Sequence, residues 1–197
     1  ESCKKLMRII SGKLKGKNIE FLKSSTTRPL KDSVKENIFN ILIHSPKINI
    51  NIEKSNVLDL YSGIGSFGLE CVSHEAKKVT FVEKDQNALR ILKKNILKLS
   101  VKSQTSIIEG NIESYLRKNI KEKYEIFFLD PPFSDEHYIE NLKILRDSKI
   151  FNKEHVVLIH REKSSQDSFE GILNSIFVKV YGRSKVIFGV FNSKIFS

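Results

Sequence analysis

Tyr124-Glu125-Ile126-Phe127-Phe128-Leu129-Asp130-Pro131-Pro132-Phe133 is the stretch on which the reading of the chain turns. An apolar, β-rich run that stops at a carboxylate, two prolines and an aromatic reads as a buried strand ending in a stiff loop. Proline fixes φ and donates no hydrogen bond, so two in succession hold the backbone extended and leave its carbonyls as acceptors. Asp130 adds a side-chain acceptor beside them and Phe133 a flat apolar face. Acceptors next to an aromatic plate suit a planar base that carries an amino group. The competing reading is a strand-ending turn whose Phe133 fills core.

Outward from this stretch the chain alternates. Residues 56–61 read as a strand, 65–76 as a helix, 79–83 as a strand, and 105–108 as a third strand followed by a short helix over 112–119. Between them, residues 85–99 form a helix that Asp85 can cap, with Leu89, Leu92, Ile96 and Leu99 on its inner face. Downstream lie a helix over 136–146 and a strand over 155–160. Alternation of this kind predicts a parallel sheet covered by helices on both faces. The last two strands, 176–181 and 185–191, flank Gly182-Arg183-Ser184. That turn is too short for a crossover, so the chain is expected to close with an antiparallel hairpin.

Towards the N-terminus, residues 1–6 are set apart as a remnant or an upstream tail, because Met7 is the only methionine. Residues 8–17 and then Ile19-Glu20-Phe21 read as two short strands around a glycine-bearing turn. After a polar loop at 24–29, Val34, Ile38, Ile41 and Leu42 recur at helical spacing with Phe39 beside them, up to Ser45-Pro46. Residues 47–55 are polar and Asn-rich and read as a linker. The expected organisation is therefore a tail over 1–6, a basic hairpin-and-helix extension over 7–50 and a main domain over 51–197.

The 197 residues suit one domain of ordinary core with a small extension. No apolar segment reaches membrane-spanning length, and no signal peptide is evident near the start. Cys3 and Cys71 are isolated and the five histidines form no ligand pattern, which points away from a disulfide framework or a metal site and towards a cytoplasmic protein. The formal charge of +11 is unevenly placed: nine basic residues lie between Lys4 and Lys31 against one acid, Glu20. Such a block favours a polyanionic partner, and a lysine-rich solvated surface is the competing reading.

Between the first strand and its helix lies Asp59-Leu60-Tyr61-Ser62-Gly63-Ile64-Gly65-Ser66-Phe67-Gly68. Glycines here let the backbone approach a ligand, and Glu83 at the end of the next strand can bind both hydroxyls of a ribose. Gly63, Gly65 and Gly68 match the dinucleotide fingerprint letter for letter, so the motif alone does not separate NAD from S-adenosylmethionine. Asp59 stands where a carboxylate meets a ligand's ammonium group, Asn111 where an amide reaches an adenine edge, and the Asp130 loop on the same rim of the sheet.

In these motifs the chain resembles the bacterial small-subunit (16S) ribosomal RNA guanine-N2 methyltransferases of the RsmD type. The resemblance is carried by Met7-Arg8-Ile9-Ile10-Ser11-Gly12 with Gly16, by Arg28-Pro29 leading to Val34-Lys35-Glu36 and Phe39-Asn40-Ile41-Leu42, by Asp59 through Glu70, by Phe81-Val82-Glu83-Lys84-Asp85, by Asn95 and by Asp130-Pro131-Pro132-Phe133. Lys35 stands where that family usually has arginine. The resemblance implies an α/β, Rossmann-like class I methyltransferase fold: a seven-stranded mixed sheet with a C-terminal antiparallel hairpin and a small basic N-terminal extension. It implies S-adenosyl-L-methionine as cofactor, held by Asp59, Tyr61, Gly63, Gly65, Gly68, Glu83, Lys84, Asn111, Ile112 and Asp130. It implies a guanine of 16S rRNA in a partly assembled 30S subunit as substrate, with Asp130, Pro131, Pro132 and Phe133 catalytic and Arg8, Lys13, Lys15, Lys17, Arg28 and Lys35 on the RNA. A monomer without metal is expected. Alternatives are an adenine-N6 methyltransferase acting on RNA or DNA, an NAD-dependent oxidoreductase and a non-catalytic RNA-binding assembly factor.

Overall fold

A computed structural model of the chain describes residues 6–21 and 30–193. Arg28 and the polar loop before it lie outside the described residues. The parallel strands are β3 (Asn56–Leu60), β4 (Lys78–Glu83), β5 (Thr105–Glu109), β6 (Tyr124–Leu129) and β7 (Phe151–Glu162). The helices α2 (Ser66–Ser73), α3 (Gln86–Leu99), α4 (Ile112–Leu116) and α5 (Tyr138–Ser148) return the chain between them. β8 (Leu173–Tyr181) and β9 (Ser184–Phe191) close the sheet as an antiparallel hairpin, in the order β5-β4-β3-β6-β7-β9-β8. From β3 the chain first builds outward through β4 and β5, then jumps back to lay β6 on the other side of β3. That reversal puts a topological switch point at the C-terminal ends of β3 and β6, the place where open α/β sheets bind ligands.

The period-2 geometry of a strand explains why the apolar run of β6 has no polar face. Ile126 and Phe128 enter one core layer, with Phe67, Phe81 and Leu92, while Phe127 and Leu129 enter the other, with Leu58, Tyr138 and Leu142. The N-terminal extension consists of the antiparallel pair β1 (Leu6–Arg8) and β2 (Asn18–Glu20) followed by α1 (Asp32–His44). Its Ile9, Ile19, Ile38 and Phe39 join the first of these layers, so extension and sheet share one core. Gly12 marks how closely they meet: with φ at +77°, a Cβ there would lie 2.3 Å from the Ser73 carbonyl oxygen at the end of α2. The Ser73 carbonyl also accepts the Lys13 N–H at 2.8 Å.

Four expectations about boundaries are corrected. Residues 47–55 are not a free linker, because Ile48 and Ile52 are buried in the shared core and residues 52–54 form a short 3-10 turn. The helix expected over 65–76 ends at Ser73, since Glu75 turns the backbone to φ +65°. β7 begins at Phe151, four residues before the strand expected from 155, and β1 begins at Leu6, inside the segment set apart as a tail. Among the described residues no helix is long and apolar enough to cross a membrane.

Candidate active site

β6 delivers Asp130 to the rim, and the two prolines after it carry the chain away from the sheet. Asp130 Oδ1 lies 2.8 Å from His160 Nδ1, on the neighbouring strand β7. The next residue, Arg161, is 2% exposed and donates from Nη1 to the Pro132 carbonyl and from Nη2 to the Phe133 carbonyl, each at 3.1 Å. Its Nε donates to Asp167 Oδ2 at 3.0 Å, and its guanidinium sits 4.5 Å from the centre of the Tyr138 ring. A buried arginine held on both sides in this way is a fixed fork rather than a mobile surface charge. Among the described residues the Pro131 carbonyl takes no hydrogen bond. Phe133 is 41% exposed, a large apolar ring left on the surface beside Asp130, 5.8 Å from the His160 ring.

The glycine loop after β3 is built from left-handed backbone: Tyr61 has φ +58°, Gly63 +55° and Gly65 +89°. Gly68, inside α2, is needed for a different reason, since a Cβ there would lie 2.3 Å from Phe81 Cε1 and 2.9 Å from Asp59 Oδ2. This closeness lets the Gly68 N–H donate to Asp59 Oδ2 at 3.0 Å. The other carboxylate oxygen, Asp59 Oδ1, is buried without a hydrogen-bond partner among the described residues. Burial pushes the Asp59 carboxyl well above its ordinary range, the Gly68 N–H works against this, and the carboxylates of Asp130 and Glu83 add to the rise. A buried, half-satisfied carboxylate in acidic surroundings is completed by a cation, which fits the ammonium group of an amino-acid-bearing cofactor.

Glu83 is held from below by backbone: Oε2 accepts the Gly63 N–H at 2.7 Å, and Oε1 accepts those of Lys84 and Asp85 at 2.9 and 2.8 Å. Asn111, after β5, caps α4, its Oδ1 accepting the Glu113 N–H at 2.7 Å, which leaves its amide N–H₂ for a ligand. Ile112 is buried behind it and Lys84 is exposed. The Tyr61 hydroxyl accepts from Asn141 Nδ2 at 2.8 Å, and burial pushes this phenol up to about 12. Asp59 and Glu83 lie in the last residues of β3 and β4, and Asn111 and Asp130 follow β5 and β6, so the four stand at the C-terminal ends of four adjacent strands.

Lys35, expected on the RNA, is corrected. It is 0% exposed, with Nζ 3.2 Å from Glu70 Oε1 and 3.1 Å from Ser66 Oγ, and no phosphate can reach it. Glu70 Oε1 also accepts the Ile10 N–H at 2.6 Å, so the pair fastens the extension to the first residue of α2. Asn95 makes a second tie: its Nδ2 donates to the Ile64 carbonyl in the glycine loop and to the Glu20 carbonyl in β2. Arg8, Lys13, Lys15 and Lys17 are exposed; Lys13 pairs with Glu75, and Arg8 lies 3.9 Å from Asp32. Sequence reasoning missed His160 and Arg161. Their one visible signal was a charged pair at the end of an otherwise apolar strand.

Sheet order, glycine loop and acceptor loop together define a class I methyltransferase. A family model described as Conserved hypothetical protein 95 matches residues 7–190. Ribosomal RNA small subunit methyltransferase D of Buchnera aphidicola subsp. Baizongia pistaciae is 32% identical over 158 residues, covering 80% of this chain and 77% of that protein. Its namesake from Haemophilus influenzae is 32% identical over 159 residues, covering 80% and 79%. Among solved structures, an Escherichia coli protein described as a methyltransferase superposes with TM-score 0.80 at 24% identity, over 96% of this chain and all of that one. A Haemophilus influenzae methylase structure gives 0.74 at 27% identity, over 94% and 98%. The chain belongs to the small-subunit ribosomal RNA methyltransferase D family.

Proposed function

We propose that the protein transfers a methyl group from S-adenosylmethionine to the exocyclic N2 amine of one guanine in 16S rRNA, acting as a monomer on a partly assembled 30S subunit. The observation that carries this reading is the pair of open acceptors, Asp130 Oδ2 and the Pro131 carbonyl, beside the exposed Phe133 ring and on the rim that holds half-satisfied Asp59. The cofactor, when bound, supplies an electrophilic methyl group. Asp59 receives its ammonium group, Glu83 its ribose hydroxyls and Asn111 its adenine edge, with Gly63 and Gly65 allowing close approach of the backbone.

The guanine amine is a weak nucleophile because its lone pair is delocalised into the ring. Asp130 and the Pro131 carbonyl accept its two N–H bonds, which favours a tetrahedral nitrogen and aims the lone pair. Placement and electrostatics supply most of the acceleration. The product nitrogen then sheds its extra proton towards Asp130. Phe133 stacks on the extruded base, a contact worth about 1–3 kcal/mol. Arg8, Lys13, Lys15 and Lys17 meet backbone phosphates.

The test is transfer of labelled methyl to small-subunit particles and to naked rRNA from cells lacking this protein, followed by nucleoside analysis. N2-methylguanosine is expected, and N6-methyladenosine would replace guanine by adenine as the target. Asp130→Ala is expected to lower turnover by about three orders of magnitude while S-adenosylhomocysteine affinity, read by calorimetry, changes little.

A further inference from the structure

Two consecutive residues of β7 determine what the acceptor loop can offer a substrate. β7 pairs with β6 in parallel register, Ile159 opposite Leu129, so His160, still within β7, stands beside Asp130 where β6 ends. His160 Nδ1 lies 2.8 Å from Asp130 Oδ1. An ionised carboxylate only accepts, so Nδ1 carries the hydrogen and donates it. The imidazole is nearly buried, at 11% side-chain exposure against 24% for Asp130, and packs against Phe133. Arg161 then takes the carbonyls of Pro132 and Phe133. Among the described residues, Asp130 Oδ2 and the Pro131 carbonyl are acceptors of the loop that β7 leaves open. A primary amine has two N–H bonds to place.

We infer that His160 is a positioning residue for methyl transfer, acting through Asp130. A free carboxylate rotates about its Cβ–Cγ bond and presents either oxygen at a range of angles. Tethering Oδ1 to a packed imidazole leaves Oδ2 as the one oxygen facing the amine, at a fixed height above the Pro131 carbonyl. His160 itself touches neither the base nor the cofactor. The inference rests on the amine-transfer reading above and concerns only its acceptor half, so it holds for a guanine or an adenine amine alike.

The experiment compares the full-length wild type with His160→Ala and His160→Asn. An asparagine amide N–H₂ reaches the place of Nδ1 and donates in its stead, without a ring or a titratable nitrogen. His160→Ala is expected to lower kcat by about 10- to 100-fold, the cost of a misplaced catalytic group, with KM for RNA within about 2-fold. His160→Asn is expected to recover most of that loss. S-adenosylhomocysteine affinity should be equal in all three, and in ¹⁵N-histidine spectra of the wild type the Nδ1–H signal of His160 should vanish on Asp130→Ala.

Unchanged kcat in His160→Ala, an asparagine variant no better than alanine, a loss confined to KM, or no Asp130-dependent Nδ1–H signal would each overturn the assignment. Should His160→Ala fail to fold, His160→Phe, which keeps the ring volume without the donor, replaces it. A wild type that methylates no RNA overturns the amine-transfer reading and this role with it. An active wild type with an indifferent His160 overturns only the latter.

Discussion

Asp59 is kept in a state that costs the free protein stability. Its carboxyl is raised above the ordinary 3.8, first by burial, so the native state holds its proton more tightly than the unfolded chain does. Below 3.8 both states are protonated and nothing is lost; as pH rises through and beyond that value the unfolded chain ionises first, and native stability falls until the raised native value is passed. Asp59→Asn is therefore expected to raise the melting temperature at neutral pH, to make little difference near about pH 3, and to weaken S-adenosylhomocysteine binding. Melts at the two pH values and a calorimetric titration check this. A higher melting temperature with unaltered affinity would remove Asp59 from the cofactor site. The residue itself was legible in the sequence because its meaning is local: a carboxylate, then glycines, at the end of an apolar run. His160 and Arg161 were not, since their partners in the loop lie 28 to 30 positions away. Lys35 was misread for a like reason, its charge being visible in the chain and its buried partner Glu70 not.

Between elements, the contacts that matter join the basic hairpin to the cofactor side. Lys35 and Glu70 are both fully buried, one on α1 and one on α2. Lys35→Met leaves an uncompensated carboxylate and is expected to cost about 3–5 kcal/mol in denaturant unfolding. Adding Glu70→Gln should restore part of that. Neutralising Lys13, Lys15 and Lys17 together belongs to the outer surface and is expected to spare stability. RNA affinity should fall, and the slope of log affinity against log salt should flatten by about 2 units or more. An unchanged slope would return these lysines to a solvated surface. Most elements were legible because their periodicity is strong, as in α3 with Leu89, Leu92, Ile96 and Leu99 inward and Asp85 capping. The docking of the hairpin was not. It depends on Ile10 meeting Glu70 and on Glu20 meeting Asn95, 60 and 75 residues apart.

At the scale of the whole molecule, the extension completes the fold as well as presenting charge. Ile9, Ile19, Ile38 and Phe39 are at most 2% exposed and pack in the layer that contains Phe67 and Phe128. A chain starting at residue 51 would expose that layer. It is expected to lose cooperative melting and to aggregate, which circular dichroism and size-exclusion chromatography would show, instead of surviving as a methyltransferase with weakened RNA binding. The sheet order was legible only as parallel alternation with a final hairpin; which strand neighbours which depends on crossovers that local pattern does not encode. One of those neighbours fixes a length. The glycine loop leaves β3 and the acceptor loop leaves β6, strands in direct register with Leu60 opposite Leu129. The two strand ends stand one interstrand step of a hydrogen-bonded sheet apart, about 4.8 Å, a gauge that nothing short of breaking the ladder can widen. The bases of the two loops are thereby held at a fixed spacing by the sheet itself. In the proposed reaction the moving part is the nucleotide, which leaves its stack and travels to a gap already set.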